Sequence, residues 1–542
     1  MSKKFALKPV AVILIAIVVV VAVSAYLIYV NLAPTAQPTV QQPTVQYAKT
    51  LVIAIPEEPS SLDIQQVTWA NEVHALLYQP LVALDENMNI VTDLAVKWEV
   101  SEDGLTITFH LPKDAKFSNG DPLTAEAIKK SIERYIEISP YAEDFADVKE
   151  IVVVDNYTLK LIFSRPAPYI WSVLVTAYGA PVNAYLAEKI GNEAFGREAV
   201  GSGPYKVKEW VRGSHVTLIR NDYYKTNLPF VNNKGPNTYI DEIIIRFIPE
   251  DLTRITELEA GRVHIVRGVP LEMVKRLKDN PNIKLYEVVT PGIYYLMVNV
   301  RDAKLSDVRV RQAIMMAINR TELAVALDHN IIPWHSFLSP TQFCYNSTIE
   351  EIASKKYAYD LDKAKALLRE AGWIDTDGDG VLDKDGIPFK LTLLSAVDDP
   401  AMKKLAPLIQ AQLKKIGIDV EIKEYTYDYV RTMTRNWEFE IAFRRFSWPD
   451  PDILIYLVHS TIGNYTYANP EVDELLELGR SVVDVTERSR VYSKVQEILL
   501  DDLPLIPLFV LKDYLAVNKN VEGLIVLPNG DFFLNDARVI QK

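Results

Sequence analysis

The chain reads as a mixed α/β protein carried on one N-terminal helix of membrane length. Three observations predict this. Short β-branched runs recur along the whole chain, amphipathic helical stretches lie between them, and residues 10–30 hold 21 residues with no charge and no glycine. With 542 residues the chain is too long for one ordinary core and is expected to divide into about two to four domains or lobes.

The N-terminus comes first in order. At about 1.5 Å per residue, a helix over residues 10–30 matches a hydrocarbon core about 30 Å thick. Lys3, Lys4 and Lys8 precede it, and no lysine or arginine follows until Lys49. The positive-inside rule then leaves residues 1–32 as a cytoplasmic tip and single-pass transmembrane anchor, with everything after it outside the cytoplasm. A cleaved signal peptide is the competing reading, with small residues near Ala22 and Ala25 as the cut, but its apolar region usually runs only about 7–15 residues. Residues 33–47 are rich in Pro, Thr and Gln. Pro34, Pro38 and Pro43 favour extended polyproline geometry, so this stretch is expected to be a spacer reaching about 40 Å.

The folded part is expected to start at the strand over residues 51–55, stopped by Pro56. Further strands are expected over 106–109, 151–154, 159–163, 216–219, 243–247 and 391–394. Thr124 is placed to cap a helix in which Ile128, Ile132 and Tyr135 repeat on one face. Asp307 is placed to cap another carrying Val310, Ile314 and Ile318. Residues 364–371 and 405–416 are further amphipathic helices. Strands and helices mixed throughout give an α/β architecture.

Composition narrows the function. The net charge is −13 with 58 Lys+Arg against 71 Asp+Glu, and no basic run overrides it, which excludes nucleic acid as a partner. The one cysteine, Cys344, excludes an internal disulfide, a CxxC pair and a thiolate zinc site. It also excludes a lipidated cysteine after the apolar segment. Cys344 is expected to act as a small, part-buried apolar residue. The seven histidines include no HExxH, and no GxSxG elbow is present.

Several blocks then occur in a characteristic order. Pro59-Ser60-Ser61-Leu62-Asp63 follows the first strand, and Leu77-Tyr78-Gln79-Pro80-Leu81-Val82 comes next. Residues 98–104 (WEVSEDG) lead to Asn119-Gly120 and Leu123-Thr124-Ala125-Glu126. Gly201-Ser202-Gly203-Pro204-Tyr205 precedes Arg220-Asn221, and residues 307–313 (DVRVRQA) precede Ala317-Ile318-Asn319-Arg320. Tyr359-Asp360, Ala371-Gly372-Trp373, residues 413–418 (LKKIGI) and Asp450-Pro451 follow. In this order the blocks resemble the family-5 extracellular solute-binding proteins of ABC importers, the group of the oligopeptide- and dipeptide-binding proteins. The resemblance covers about residues 51–508. It implies a three-lobed, periplasmic-binding-protein-like fold of the class II type, whose lobes close on a ligand by a hinge. It also implies a monomer that hands its ligand to membrane permease subunits. The lobes carried over are residues 48–76, 200–292 and 515–542 for lobe I, 77–199 for lobe II and 293–514 for lobe III.

Peptide binders of this family commonly carry Trp-x-x-Asp before the Asp-Pro, the carboxylate gripping the peptide ammonium. Here Arg444 occupies the Trp position and Ser447 that of the acid. The departure opens two ligand classes, an unusual oligopeptide or a neutral oligosaccharide. Trp69 and Trp448 are the expected walls, with Arg444, Ser447 and Asp450 as polar contacts. An extracellular glycosidase-like hydrolase and a surface sensor of the same fold are the alternatives.

A second site is read from residues 375–383 (DTDGDGVLD). Asp375, Asp377, Asp379 and Asp383 fall at positions 1, 3, 5 and 9 of an EF-hand-like loop, and the Val381 carbonyl falls at position 7. Gly386 stands where the bidentate Glu would be, so the expectation is a structural calcium with a substitute for that ligand. Arg309 and Arg311 are expected to be structural. Asn156, Asn319, Asn346 and Asn464 begin glycosylation sequons.

Overall fold

The computed structural model describes residues 9–32, 46–463 and 466–541. The chain divides into two compact units, residues 1–46 and 47–542. In the first unit, Pro9–Leu32 is one helix of 24 residues. The large apolar side chains described on it, from Ile13 to Val30, are exposed. Among the described residues no helix is long and apolar enough to cross a membrane, in contrast to the transmembrane anchor expected from the sequence. The spacer, expected over 33–47, falls outside the described residues except at its end. That end is corrected: Tyr47 already pairs with Ile540 in a small sheet and packs edge-on against Tyr239, so the folded unit begins there.

In the second unit, twelve strands among the described residues form one mixed sheet. Its main path runs Asp419–Tyr425, Lys390–Ala396, Ile441–Arg445, Tyr294–Val298, Leu505–Asn518, Ile265–Val266, Thr50–Ile55, Glu242–Phe247, His215–Arg220 and Tyr205–Val211. Leu505–Asn518 organises the sheet. Its 14 residues span about 46 Å. Its first half (Leu505, Ile506, Leu508, Phe509) packs in one core and its second half (Leu515, Val517) in another. One strand thus belongs to two bodies of the fold.

The expected strands all form. Thr50–Ile55 alternates and then closes as a buried run, and Leu51, Ile53 and Ile55 enter the first core with Val216, Leu218, Ile243 and Ile245. The second core sits on a four-stranded antiparallel sheet in the order Lys97–Val100, Thr106–His110, Thr158–Phe163, Val148–Asp155. Helix Ala125–Ile138 contributes Ile128, Ile132 and Tyr135 to that core, and the Thr124 hydroxyl accepts from the Ala127 amide as the sequence implied. The third core holds helix Val308–Ala317, capped by Asp307, and helix Pro400–Lys414. Residues 180–199, expected with the second lobe, pack instead into the first core through Val182, Ala184, Ala187 and Phe195, together with Leu77 and Tyr78.

Arg309 and Arg311 are structural. Arg309 pairs with Asp307 at 2.6 Å, while buried Arg311 donates to the Leu305, Ser306 and Asp502 carbonyls. Cys344 packs at the edge of the third core, and burial pushes its thiol up to about 11. The Asn319 and Asn346 carboxamides cap helices, Asn156 is exposed in a strand turn, and Asn464 lies outside the described residues.

Candidate ligand-binding site

The second and third cores meet along a seam. Arg480 of the third core pairs with Asp452 at 3.0 Å and lies 4.9 Å over the Tyr169 ring of the second. Gly104, at φ +67°, accepts Val483 so closely that a Cβ there would sit 2.3 Å from Val483 Cγ2. Phe343 and Trp448 also lean on the second core.

The loop after strand Ile441–Arg445 carries most of the expected site. The Trp448 amide donates to the Pro291 carbonyl (2.8 Å), and the Trp448 carbonyl accepts from Gln342 Nε2 (2.8 Å). Gly292 permits this approach: a Cβ there would lie 1.9 Å from the Phe446 carbonyl oxygen. Ser447 is exposed at the turn and Trp448 is half-buried. Asp450 is corrected as a ligand contact. It is fully buried, its two carboxylate oxygens accept from Arg488 Nη1 and Nη2 at 2.8 and 2.7 Å, and it caps the next short helix. A carboxylate so engaged cannot also hold a ligand.

Arg444 and Arg445 point to opposite faces of their strand, and the faces differ in chemistry. Arg445 Nε meets Asp399 Oδ2 at 3.0 Å, and that carboxylate also accepts from the Tyr294 hydroxyl and caps helix Pro400–Lys414. Arg444 faces helix Tyr427–Arg435. Its Nη1 donates to Thr434 Oγ1, and its guanidinium stands 5.8 Å from the Tyr427 ring. Opposite it in register is Tyr295, whose side chain is fully buried.

The first core presents Trp69, 68% exposed. Its loop is pinned by two tyrosines. Tyr141 and Tyr178 hydroxyls donate to the Thr68 carbonyl at 2.9 and 3.0 Å, and Tyr178 Oη accepts from the Ala70 amide at 2.8 Å. Burial raises the Tyr141 phenol pKa, and the charge of Arg431 opposes that shift. Arg431 stands on helix Tyr427–Arg435, which packs on the third core. Sequence reasoning missed Tyr141, Tyr178, Tyr295 and Arg431. The alternation Tyr425, Tyr427, Tyr429 was the visible signal of an aromatic surface there.

In the acidic loop, carboxylate oxygens of Asp375, Asp377 and Asp383 lie within 4.8 Å of one another. The Asp379 Oδ1 accepts from the Val381 amide at 2.7 Å.

The fold and this surface fit a solute-binding protein. Residues 89–465 match the family of bacterial extracellular solute-binding proteins, family 5. The chain belongs to that family, the solute-binding components of ABC importers, whose folded part works outside the cytoplasm. It is 27% identical to the oligopeptide-binding protein AppA of Bacillus subtilis (strain 168) over 485 residues, 86% of each chain. It is 29% identical to the probable D,D-dipeptide-binding periplasmic protein DdpA of Escherichia coli (strain K12), covering 88% of this chain and 92% of the relative. Among solved structures, AppA in complex with a nonapeptide superposes with a TM-score of 0.73 at 25% identity, over 92% of this chain and all of that one. NikA from Brucella suis in complex with Fe(III)-EDTA shares the fold at a TM-score of 0.80 and 22% identity, over 91% of this chain and all of that one.

Proposed function

We infer that the chain is a membrane-tethered receptor that captures a small solute of the oligopeptide class and passes it to the permease subunits of an ABC importer. The observation that carries this is the Trp69 loop just described. Trp69 is held out, exposed, on a loop pinned by Tyr141 and Tyr178. A large ring kept exposed on a fixed loop suits a ligand wall. AppA and DdpA, named for oligopeptide and D,D-dipeptide binding, support the ligand class.

In this reading the three cores are the three lobes, with Leu505–Asn518 as a connecting strand at the hinge. The helix over residues 9–32 anchors the receptor. Asp375, Asp377 and Asp383 hold a structural calcium. One observation favours an oligosaccharide instead: exposed Ser447 stands where a peptide ammonium would need an acid.

A thermal-shift screen of the full chain in nanodiscs separates the two. A ligand at 100 times its dissociation constant adds about 2.7 kcal/mol of stability. Di- to hexapeptides are expected to raise the melting temperature. A rise with neutral oligosaccharides and none with peptides would transfer the assignment to sugars.

A further inference from the structure

The Arg444 crevice holds two polar groups that the protein itself leaves unmet. Arg444 Nε is buried without a hydrogen-bond partner, and among the described residues no carboxylate comes within ion-pair distance of this guanidinium. Its Nη1 donates to Thr434 and Tyr427 is a further hydrogen-bonding neighbour, which leaves Nε as the guanidinium group without a partner. The Tyr427 hydroxyl beside it is occupied, donating to the Arg445 carbonyl at 2.6 Å. The second group is the Tyr295 hydroxyl. It is buried without a partner on a side chain with 0% exposure, on the residue paired with Arg444 in register. Burial raises the Tyr295 phenol, and the Arg444 charge opposes that shift.

A buried guanidinium Nε–H and a buried hydroxyl, each without a partner, are costly unless something else completes them. The neighbouring Arg445 shows how this protein treats an arginine that serves structure, since Asp399 neutralises it. Arg431, paired only with the exposed Asp428 at 3.4 Å, adds a second cation on the covering helix.

We propose that this crevice is an anion subsite in which Arg444 and the Tyr295 hydroxyl take a carboxylate of the bound solute, with Arg431 at its mouth. The inference rests on the receptor reading above and deepens it: the transported solute carries a carboxylate, and that group enters where peptide binders of the family hold an ammonium. Peptide and sugar backbones are both compatible with it, and the test separates them.

The test is calorimetric titration of the full chain in nanodiscs with four probe sets: tri- to pentapeptides with free C-terminal carboxylates, the same peptides amidated, oligogalacturonides, and neutral oligosaccharides. Binding is expected only among carboxylate-bearing probes. Arg444→Gln is expected to weaken it at least about 30-fold, and Tyr295→Phe about 10-fold. The ligand-free melting temperature of Tyr295→Phe is expected to stay at the wild-type value, and that of Arg444→Met to stay equal or rise. Binding by oligogalacturonides alone would remove the peptide reading and keep the subsite. Equal binding of amidated or neutral probes, no binding by any probe, or full affinity in Arg444→Gln would overturn the subsite. So would an Arg444→Met protein that unfolds at markedly lower temperature, since Arg444 would then be structural.

Discussion

Gly104→Ala is expected to weaken ligand binding from a position far from the ligand. In the structure a Cβ at 104 would lie 2.3 Å from Val483 Cγ2 and 3.2 Å from Pro166 Cβ. Carbon atoms rest about 3.5–4.0 Å apart, so Val483 and residue 104 would have to separate by more than about 1 Å. The two residues stand on opposite sides of the seam, and overpacking a fitted contact costs about 1–3 kcal/mol. If the ligand is held only when the seam closes, that cost appears as a dissociation constant about 5- to 150-fold higher. The φ of +67° adds strain for alanine, about 1–2 kcal/mol. That strain is present whether the seam is open or closed, so it lowers the melting temperature and leaves affinity alone. Val483→Ala removes the clashing methyl. Titration calorimetry on the two single variants and the double variant isolates the contact. The double variant is expected to bind within about twofold of Val483→Ala. An equal loss on adding Gly104→Ala to either background would refute the seam argument.

Three further outcomes are expected. His74 is fully buried, accepts the Asn71 amide at Nδ1 and faces the Ser61 carbonyl with Nε2, and burial lowers its pKa to about 4. Between pH 6.5 and 4 the folded chain therefore binds fewer protons than the unfolded chain, so stability falls on acidification through that window, by about 3 kcal/mol at its foot. His74→Gln, which keeps a capping side chain, should flatten that part of the curve in denaturant unfolding at stepped pH. Asp450→Ala leaves Arg488 buried without its carboxylate and should cost about 3–5 kcal/mol in the same assay, with ligand affinity unchanged because Asp450 is fully buried against Arg488. For the acidic loop, calcium at 100 times its dissociation constant should stabilise the chain by about 2.7 kcal/mol over excess chelator, and Asp375→Asn should abolish the difference. Identical melting in both conditions would remove the ion.

Local structure was legible where short-range physics decides it. Thr124 and Asp307 cap the helices their positions imply, and every expected strand forms, because alternation and capping depend on neighbours in the chain. Long-range partners were not legible. Nothing near Asp450 in sequence announces Arg488, 38 residues on, and that pairing turned an expected ligand contact into a buried structural pair. Residues 180–199 joined the first core through packing that no local pattern encodes. At the site, Arg444 was marked by its departure from a family pattern. Tyr295, which completes it, sits in a uniformly buried strand where a tyrosine reads as one more core residue.

A solute-binding protein holds its solute and returns it unchanged. Equilibrium dialysis of the full chain against the best probe of the thermal screen, followed by mass spectrometry of the recovered probe, tests it most directly. Saturable binding of one probe per chain and quantitative recovery of the intact molecule are expected. Cleavage of the probe at a rate proportional to protein, or a bound fraction that does not saturate, would contradict it.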